Sequence, residues 1–169
     1  TVPETREWYA EVQTVTIKAV ANVKLAEGYG NPPEVIAEDA DISQWSSEDN
    51  QTFTATVNVA KTTEIQVGDQ TLMVQIDTVT PEISNVESYK SKDGTVVEFD
   101  VTVGDSGIAE VKINNETCDF TGGDDHVTVT VDEKLGKDFT IAVTSKAGLT
   151  GVANGGTPEE ELSVVIDEP

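Results

Sequence analysis

The chain has little of the chemistry that enzymes and metal proteins use most. Its 169 residues include one cysteine, Cys118, and one histidine, His126. A single cysteine forms no internal disulfide and no CxxC metal or redox motif. Cys118 and His126 could act as nucleophile and base, but no third orienting group or oxyanion-hole motif accompanies them. The sequence therefore predicts a protein that is not an enzyme.

Long apolar runs and basic residues are also scarce. No run approaches the roughly 20 apolar residues of a membrane-spanning helix. Acidic residues number 32 against 10 lysines and arginines, a net charge of -22. Residues 1–80 carry 13 acidic and 4 basic side chains (net -9), and the remainder carries 19 and 6 (net -13). Because such a surface repels phosphate, we expect no binding to nucleic acids or to anionic membrane surfaces. The lack of a long apolar run predicts no membrane insertion within this chain.

What the chain does contain is a series of short segments in which apolar residues alternate with polar ones. The clearest are "VQTVTIKAV" (12–20) and "TVVEFDVTV" (95–103). A period of two is typical of a half-buried strand, and glycine-rich turns separate the segments. Strands are predicted near 12–20, 34–38, 53–59, 63–67 and 71–76, then near 83–89, 95–103, 108–113, 117–120, 126–131, 138–144 and 161–166. This density of strands predicts an all-β fold of sandwich type.

A repeated phrase divides the chain into two domains. "TLMVQID" (71–77) aligns with "ELSVVID" (161–167) at an offset of 90, and "TVPE" (1–4) aligns with "TVTPE" (78–82). Pro3 and Pro81 would each begin a repeat, and Pro169 would begin a third, since proline ends strand pairing. We predict domains at 1–79 and 80–169, with a long atypical loop at 22–45 in the first. The short joint between them predicts restricted bending.

Three segments of the second repeat carry a family resemblance. "GDSGIAEVKIN" (104–114), "DFTIAVTSKAGLTG" (138–151) and "ELSVVIDEP" (161–169) resemble the bacterial immunoglobulin-like (Big-type) repeats of cell-surface and secreted proteins. Ser145 and Leu149 stand where that family usually has Asp and Asn. In the first repeat, only the two ends match.

The resemblance implies two tandem immunoglobulin-like β-sandwich domains in an extracellular or cell-surface setting. The implied function is non-catalytic: a structural or adhesion module within a longer tandem array that spaces or presents a binding domain. Its partners would be adjacent repeats of the same polypeptide and a protein or glycan ligand. The alternative is a carbohydrate-binding accessory module of a secreted glycan-active protein.

Two aromatic residues are the candidate ligand contacts. Trp45 and Tyr29 lie in or beside the atypical loop, where the first repeat departs from the family pattern. Loops on a rigid scaffold often carry binding residues, and aromatic side chains can stack on sugars. The other interpretation is that Trp45 fills the core or its rim.

Acidic residues provide the one candidate metal site. Glu38, Asp39 and Asp41 cluster in the loop, and Asp77 lies at the joint. Calcium takes six to eight oxygen ligands from such loops, although no DxDxDG motif is present. The sequence thus requires no cofactor. It leaves two possibilities for these residues, a calcium site or a solvated acidic surface.

Overall fold

The computed structural model describes residues 8–132, 135–156 and 163–167. The chain divides into two compact units, Thr1–Thr78 (unit 1) and Val79–Pro169 (unit 2). This division falls one residue before the boundary that the sequence predicts. Each unit is an immunoglobulin-like β-sandwich of two antiparallel sheets. Among the described residues, no helix is long and apolar enough to cross a bilayer.

The described residues of unit 1 form six strands in two three-stranded sheets. The strands are β1 (Gln13–Val20), β2 (Val35–Ala37), β3 (Asp41–Ile42), β4 (Thr52–Val59), β5 (Thr63–Val67) and β6 (Gln70–Val74). One sheet has the order β1-β4-β3 and the other β2-β5-β6. Just before β1, Tyr9 pairs in parallel with Ile76, just after β6. The segment before β1 therefore lies beside the sheet that contains β6.

In the described part of unit 2 there are eight strands in two four-stranded sheets. The strands are β7 (Glu82–Ser91), β8 (Gly94–Thr102), β9 (Ile108–Ile113), β10 (Glu116–Cys118), β11 (Phe120–Gly122), β12 (His126–Val131), β13 (Phe139–Ser145) and β14 (Thr150–Gly155). The sheet orders are β11-β12-β8-β7 and β10-β9-β13-β14. The first strand, β7, pairs with β8 and so closes one edge of its sheet.

The alternating pattern places apolar side chains between the sheets. In unit 2 the interior includes Phe99 of β8, Val129 of β12 and Ile141 of β13, which have no exposed surface. In unit 1 the interior is smaller, with Val57 and Val59 of β4 fully buried. Alternate residues on each strand reach one core because successive side chains point to opposite faces.

Turn chemistry agrees with the strand register. Ile113 pairs with Glu116 across a two-residue turn, and both turn residues have positive φ, 49° at Asn114 and 70° at Asn115. That conformation defines a type I′ hairpin turn, in which asparagine is well tolerated. The β9–β10 hairpin is therefore determined locally.

The predicted final strand at 161–166 is wrong over the residues that the structure describes. Ser163–Asp167 form no strand, and Ile166 is 86% exposed. The last strand is β14, a hairpin partner of β13, so β14 occupies the position that β6 has in unit 1. "TLMVQID" therefore corresponds in the fold to β14 and not to "ELSVVID". Glu161 and Leu162 lie outside the described residues.

The joint between the units is short and is held by a buried residue at each end. Asp77 is 4% exposed within unit 1, and its backbone N–H donates to the Tyr9 carbonyl at 2.8 Å. Residues 78–80 are exposed, and Pro81 is buried in unit 2. A Cβ on Gly151 would lie 1.8 Å from the Pro81 carbonyl oxygen, so only glycine fits where β14 passes Pro81. Three exposed residues therefore separate the two fixed ends.

Candidate binding groove

Unit 1 has a groove of about 420 Å³ between β1 and β6. We call it the β1–β6 groove. It exists because β1 and β6 are edge strands of opposite sheets, and no described strand pairs with the outer side of either one. Val15, Ile17 and Ala19 of β1 line one side and are only half-buried, although they face the core.

The β6 side of this groove is also apolar and open. Leu72 pairs across the strands with Ile65, so both side chains lie on the core face of the sheet. Ile65 is 2% exposed, whereas Leu72 is 51% exposed. Nothing in the opposite sheet covers Leu72 because that sheet ends at β1. The groove is therefore an opening into the core of unit 1.

Trp45 lines the groove and Tyr29 does not. The Trp45 indole N–H donates to the Pro33 carbonyl at 3.0 Å, and the ring is half-buried. Tyr29 is 79% exposed. The two predicted ligand contacts thus occupy different surroundings: Trp45 fills the wall of a groove, and Tyr29 projects from the loop. They remain predicted ligand contacts, with only Trp45 in a concave site.

The predicted calcium residues are distributed over different parts of unit 1. Glu38 and Asp39 line a polar depression of about 370 Å³, where Asp39 forms an ion pair with Lys61 at 2.8 Å. The hydrogen bond that Lys61 donates to Asp39 raises the pKa of Lys61. The Lys61 ammonium is thus paired with one of the carboxylates that calcium would need as a ligand.

The other two predicted ligands lie elsewhere. Asp41 begins β3 opposite Asn58 of β4, while Asp77 is buried beside Tyr9. Within residues 8–132, 135–156 and 163–167, no three His, Cys, Asp or Glu side chains converge to hold a metal ion. Calcium binding by these four residues stays a prediction.

Unit 2 contains a polar cluster that sequence reasoning missed. His126 Nδ1 lies 2.8 Å from Asp100 Oδ1, and Asn85 Nδ2 donates to Asp100 Oδ2 at 2.8 Å. His126 and Asp100 are direct cross-strand partners, and Asn85, with φ of 49°, lies at an irregularity in β7. The hydrogen bond to Asp100 raises the pKa of His126, and the hydrogen bonds from Asn85 and His126 lower the pKa of Asp100.

This cluster is solvent-exposed and contains no nucleophile. Cys118 lies in β10, in the other sheet from His126, and its Sγ donates to the Glu116 carbonyl at 3.3 Å. The two residues therefore do not form a nucleophile–base pair. Residues 100 and 126 are neighbours only through the register of the β8–β12 pairing. The sequence alone does not give that register, so it carried no direct signal for the cluster.

No protein-family model and no curated protein matches the chain. Among solved structures it is similar to SGBP-B of the Bacteroides ovatus mixed-linkage glucan utilization locus, in complex with a mixed-linkage heptasaccharide (TM-score 0.36, 10% identity). It is also similar to the Yersinia pseudotuberculosis adhesin InvE (TM-score 0.33, 10% identity) and to domains 5-6 of the S-layer protein SbsC (TM-score 0.27, 18% identity).

The three alignments cover the same fraction of this chain but different fractions of the three solved structures. Each covers 89% of this chain, and the matched parts are 42% of the SGBP-B chain, 55% of InvE and 90% of the SbsC fragment. The chain therefore spans about half of the length of the first two. The fold of each unit follows from the strand pairing within its own two sheets.

Proposed function

We propose that this chain is a non-catalytic structural module of a cell-surface or secreted protein, one of a tandem series that spaces or presents a binding domain. The family proposed for it is the bacterial immunoglobulin-like repeats. The observation that carries the structural role is the parallel pairing of Tyr9 with Ile76 at the two ends of unit 1.

Parallel pairing at the ends suits a module under tension. Tyr9 N–H donates to the Gln75 carbonyl at 2.9 Å, and Asp77 N–H donates to the Tyr9 carbonyl at 2.8 Å. Force applied through the two ends pulls Tyr9 toward the N-terminus and Ile76 toward the C-terminus. Since the two segments run in the same direction, this force slides them past each other and loads both hydrogen bonds together.

Single-molecule force spectroscopy tests this role. Unit 1 is pulled through its two ends in the full chain, and Tyr9→Pro is compared with the unsubstituted protein. Proline removes the N–H that donates to Gln75 and should lower the unfolding force of unit 1. Ala10→Pro is the matched control, because the Ala10 N–H makes no hydrogen bond with the described residues. Equal forces for the protein and Tyr9→Pro would remove the support for a tension-bearing role.

A carbohydrate-binding accessory module is the second candidate, and the position of Trp45 in the β1–β6 groove favours it. Sugar sites commonly combine an aromatic wall with polar groups, and here Thr16, Lys18 and Gln70 line the same groove. A glycan array with the full chain tests this function. Trp45→Ala should abolish any glycan signal, while Tyr29→Ala should leave it unchanged. A signal lost only in Tyr29→Ala would transfer the site to the loop.

A further inference from the structure

We propose that the outer edge of β1 is a strand-acceptor site, and that Ser163–Asp167 of a second copy of this chain occupies it. The added segment would pair with β1 and cover the β1–β6 groove. This inference rests on the strand edges themselves and does not depend on the structural role proposed above.

On its outer edge, β1 has backbone hydrogen-bonding groups that pair with no described strand. On the neighbouring strand, the N–H and carbonyl of Thr54 both pair with Ser46, away from β1. Thr54 is the cross-strand partner of Lys18, which is therefore in a non-hydrogen-bonded pair. The N–H and carbonyl of Lys18 must then point outward.

Every second residue along β1 directs its backbone N–H and carbonyl outward in the same way. The Thr56 carbonyl accepts from Ser43 N–H, so its partner Thr16 also directs its backbone outward. By alternation, Thr14 and Val20 do the same. Four outward N–H groups and four carbonyls have no strand partner among the described residues, and unpaired edges of this kind template strand addition.

Unit 2 shows what normally fills this position. There β7 pairs with β8, the strand that occupies the place of β1, and Ile83 and Val86 of β7 pack against the core. As a result the inward residues of β8, including Val97 and Phe99, are fully buried, whereas those of β1 are half-exposed. The acceptor edge in unit 1 is thus the slot for a strand equivalent to β7.

A segment that resembles β7 is exposed at the other end of the same chain. Val164, Val165 and Ile166 are 85%, 79% and 86% exposed. In sequence, "TPEEELSVV" (157–165) parallels "TPEISNV" (80–86), with Glu161, Leu162 and Ser163 corresponding to Glu82, Ile83 and Ser84. Within the donor segment, Ser163 and Val165 match Ser84 and Val86 in residue type. The match does not extend to side-chain direction, because β7 has an irregularity between Ser84 and Glu87 and its Val86 packs against the core.

Shape and charge are complementary as well. With a period of two, Val164 and Ile166 share one face and can cover Ile17 and Leu72, while Ser163, Val165 and Asp167 face solvent. Lys18 is the one charged residue of β1, and the donor segment ends with Asp167 and lies between Glu161 and Glu168. Because donor and acceptor are different surfaces, the contact is head-to-tail and builds open chains of copies.

Disulfide trapping between two differently labelled copies tests the pairing directly. In a Cys118→Ser background, one chain carries Thr16→Cys and the other carries Ser163→Cys, Val165→Cys or Asp167→Cys, which together cover the possible registers. The net charge of -22 on each copy opposes association, so the mixture is studied at about 0.5 M NaCl, where repulsion is screened within a few Å. We expect a mixed disulfide between the two chains in at least one combination.

Sedimentation velocity with the full chain provides the second measurement. Val164→Asp/Ile166→Asp should lower the association constant at least about tenfold, since two charges would enter the apolar groove. Val23→Asp/Val152→Asp adds the same charge at residues that are 65% and 68% exposed and should associate like the unsubstituted protein. Association should strengthen with salt.

Three results would overturn the proposal. The first is a protein that stays monomeric at every concentration and salt level. The second is trapping of Thr16→Cys only with itself, which would indicate edge-to-edge pairing of two β1 strands. The third is an association constant that falls equally in the donor variant and its charge-matched control.

Discussion

The two units share six strands in the same order, to which unit 2 adds β7 and β10, and they differ in how the segment before the first shared strand is used. In unit 2, β7 lies beside β8 and completes a four-stranded sheet. In unit 1 the described part of the segment before β1 holds Tyr9 against Ile76, beside the other sheet, and no described strand pairs with the outer edge of β1. Twelve described apolar residues are buried in the main core of unit 2, against five in that of unit 1.

This difference indicates that a strand in the position of β7 determines whether the core of the sandwich is covered at this edge. A strand adds backbone hydrogen bonds on one side and also covers the side chains opposite it. Without it, correctly patterned residues such as Ile17 and Leu72 face the core and still contact solvent. Unit 1 should consequently be the less stable unit, and substitutions in its core should cost less than those in unit 2.

The largest expected effect is in the closed core of unit 2. Phe99→Ala should lower the free energy of unfolding of unit 2 by about 3–5 kcal/mol, because Phe99 is fully buried and leaves a cavity. Phe53→Ala, which removes a half-buried ring in unit 1, should cost less. Hydrogen exchange follows unit 2, and tryptophan emission follows unit 1 alone, since Trp8 and Trp45 both lie there. Equal losses for the two variants would contradict the comparison.

The next effect concerns the attachment of the first segment in unit 2. Gly151→Ala should destabilise unit 2 by about 1–3 kcal/mol, because its Cβ would overlap the Pro81 carbonyl and force the backbone apart. Gly136→Ala is the matched control, since no atom lies within 4 Å of a Cβ there. Urea unfolding followed by hydrogen exchange measures both. Identical midpoints would mean that Pro81 is not held against β14 in solution.

A smaller effect tests whether the β1–β6 groove is open. Leu72→Ala should cost less than about 1 kcal/mol, because half of that side chain is already in water, whereas Ile65→Ala on the facing strand should cost about 2–5 kcal/mol. Tryptophan emission during urea unfolding at low protein concentration measures both. If Leu72→Ala is as costly as Ile65→Ala, the groove is covered in solution.

Most of the strands could be predicted because alternation is a local property. Segments such as "TVVEFDVTV" have one apolar face, and β8 forms there, with its inward residues buried. β14 was missed because "TGVANG" is rich in residues that disfavour strands. Glycine is needed there for the passage of Pro81, which is a tertiary requirement and not a local one.

The error at 161–166 and the missed polar cluster have a related cause. Alternation in "ELSVVID" predicts that the segment can pair, but not with which edge, and β14 already pairs with β13. The phrase "TPE" after β14, at 157–159, is a better match to "TPE" at 80–82 than Pro169 is to Pro81. Likewise, residues 85, 100 and 126 meet only through pairing of three strands.

The smallest effect expected is a pH dependence confined to unit 2, where this polar cluster lies. The folded-state pKa of His126 is raised by its hydrogen bond to Asp100, so its stabilising contribution is present below the unfolded pKa and is lost as pH rises through the folded one. The pKa of Asp100 is lowered, so its contribution is present above the unfolded pKa and is lost as pH falls through the folded one.

The pair therefore stabilises unit 2 most between these two titrations and less above neutral pH. NMR titration should place the His126 pKa above its ordinary value, and Asp100→Asn should bring it back down, because the charged partner is removed. Asn85→Ala is the sharper control, since it removes a hydrogen bond to Asp100 without changing any charge and should raise the pKa of Asp100.

Unit 1 contains no histidine, so its tryptophan-monitored stability should stay level from about pH 6 to 8. A parallel loss in both units over this range would mean that overall charge repulsion, and not the His126–Asp100 pair, sets the pH dependence.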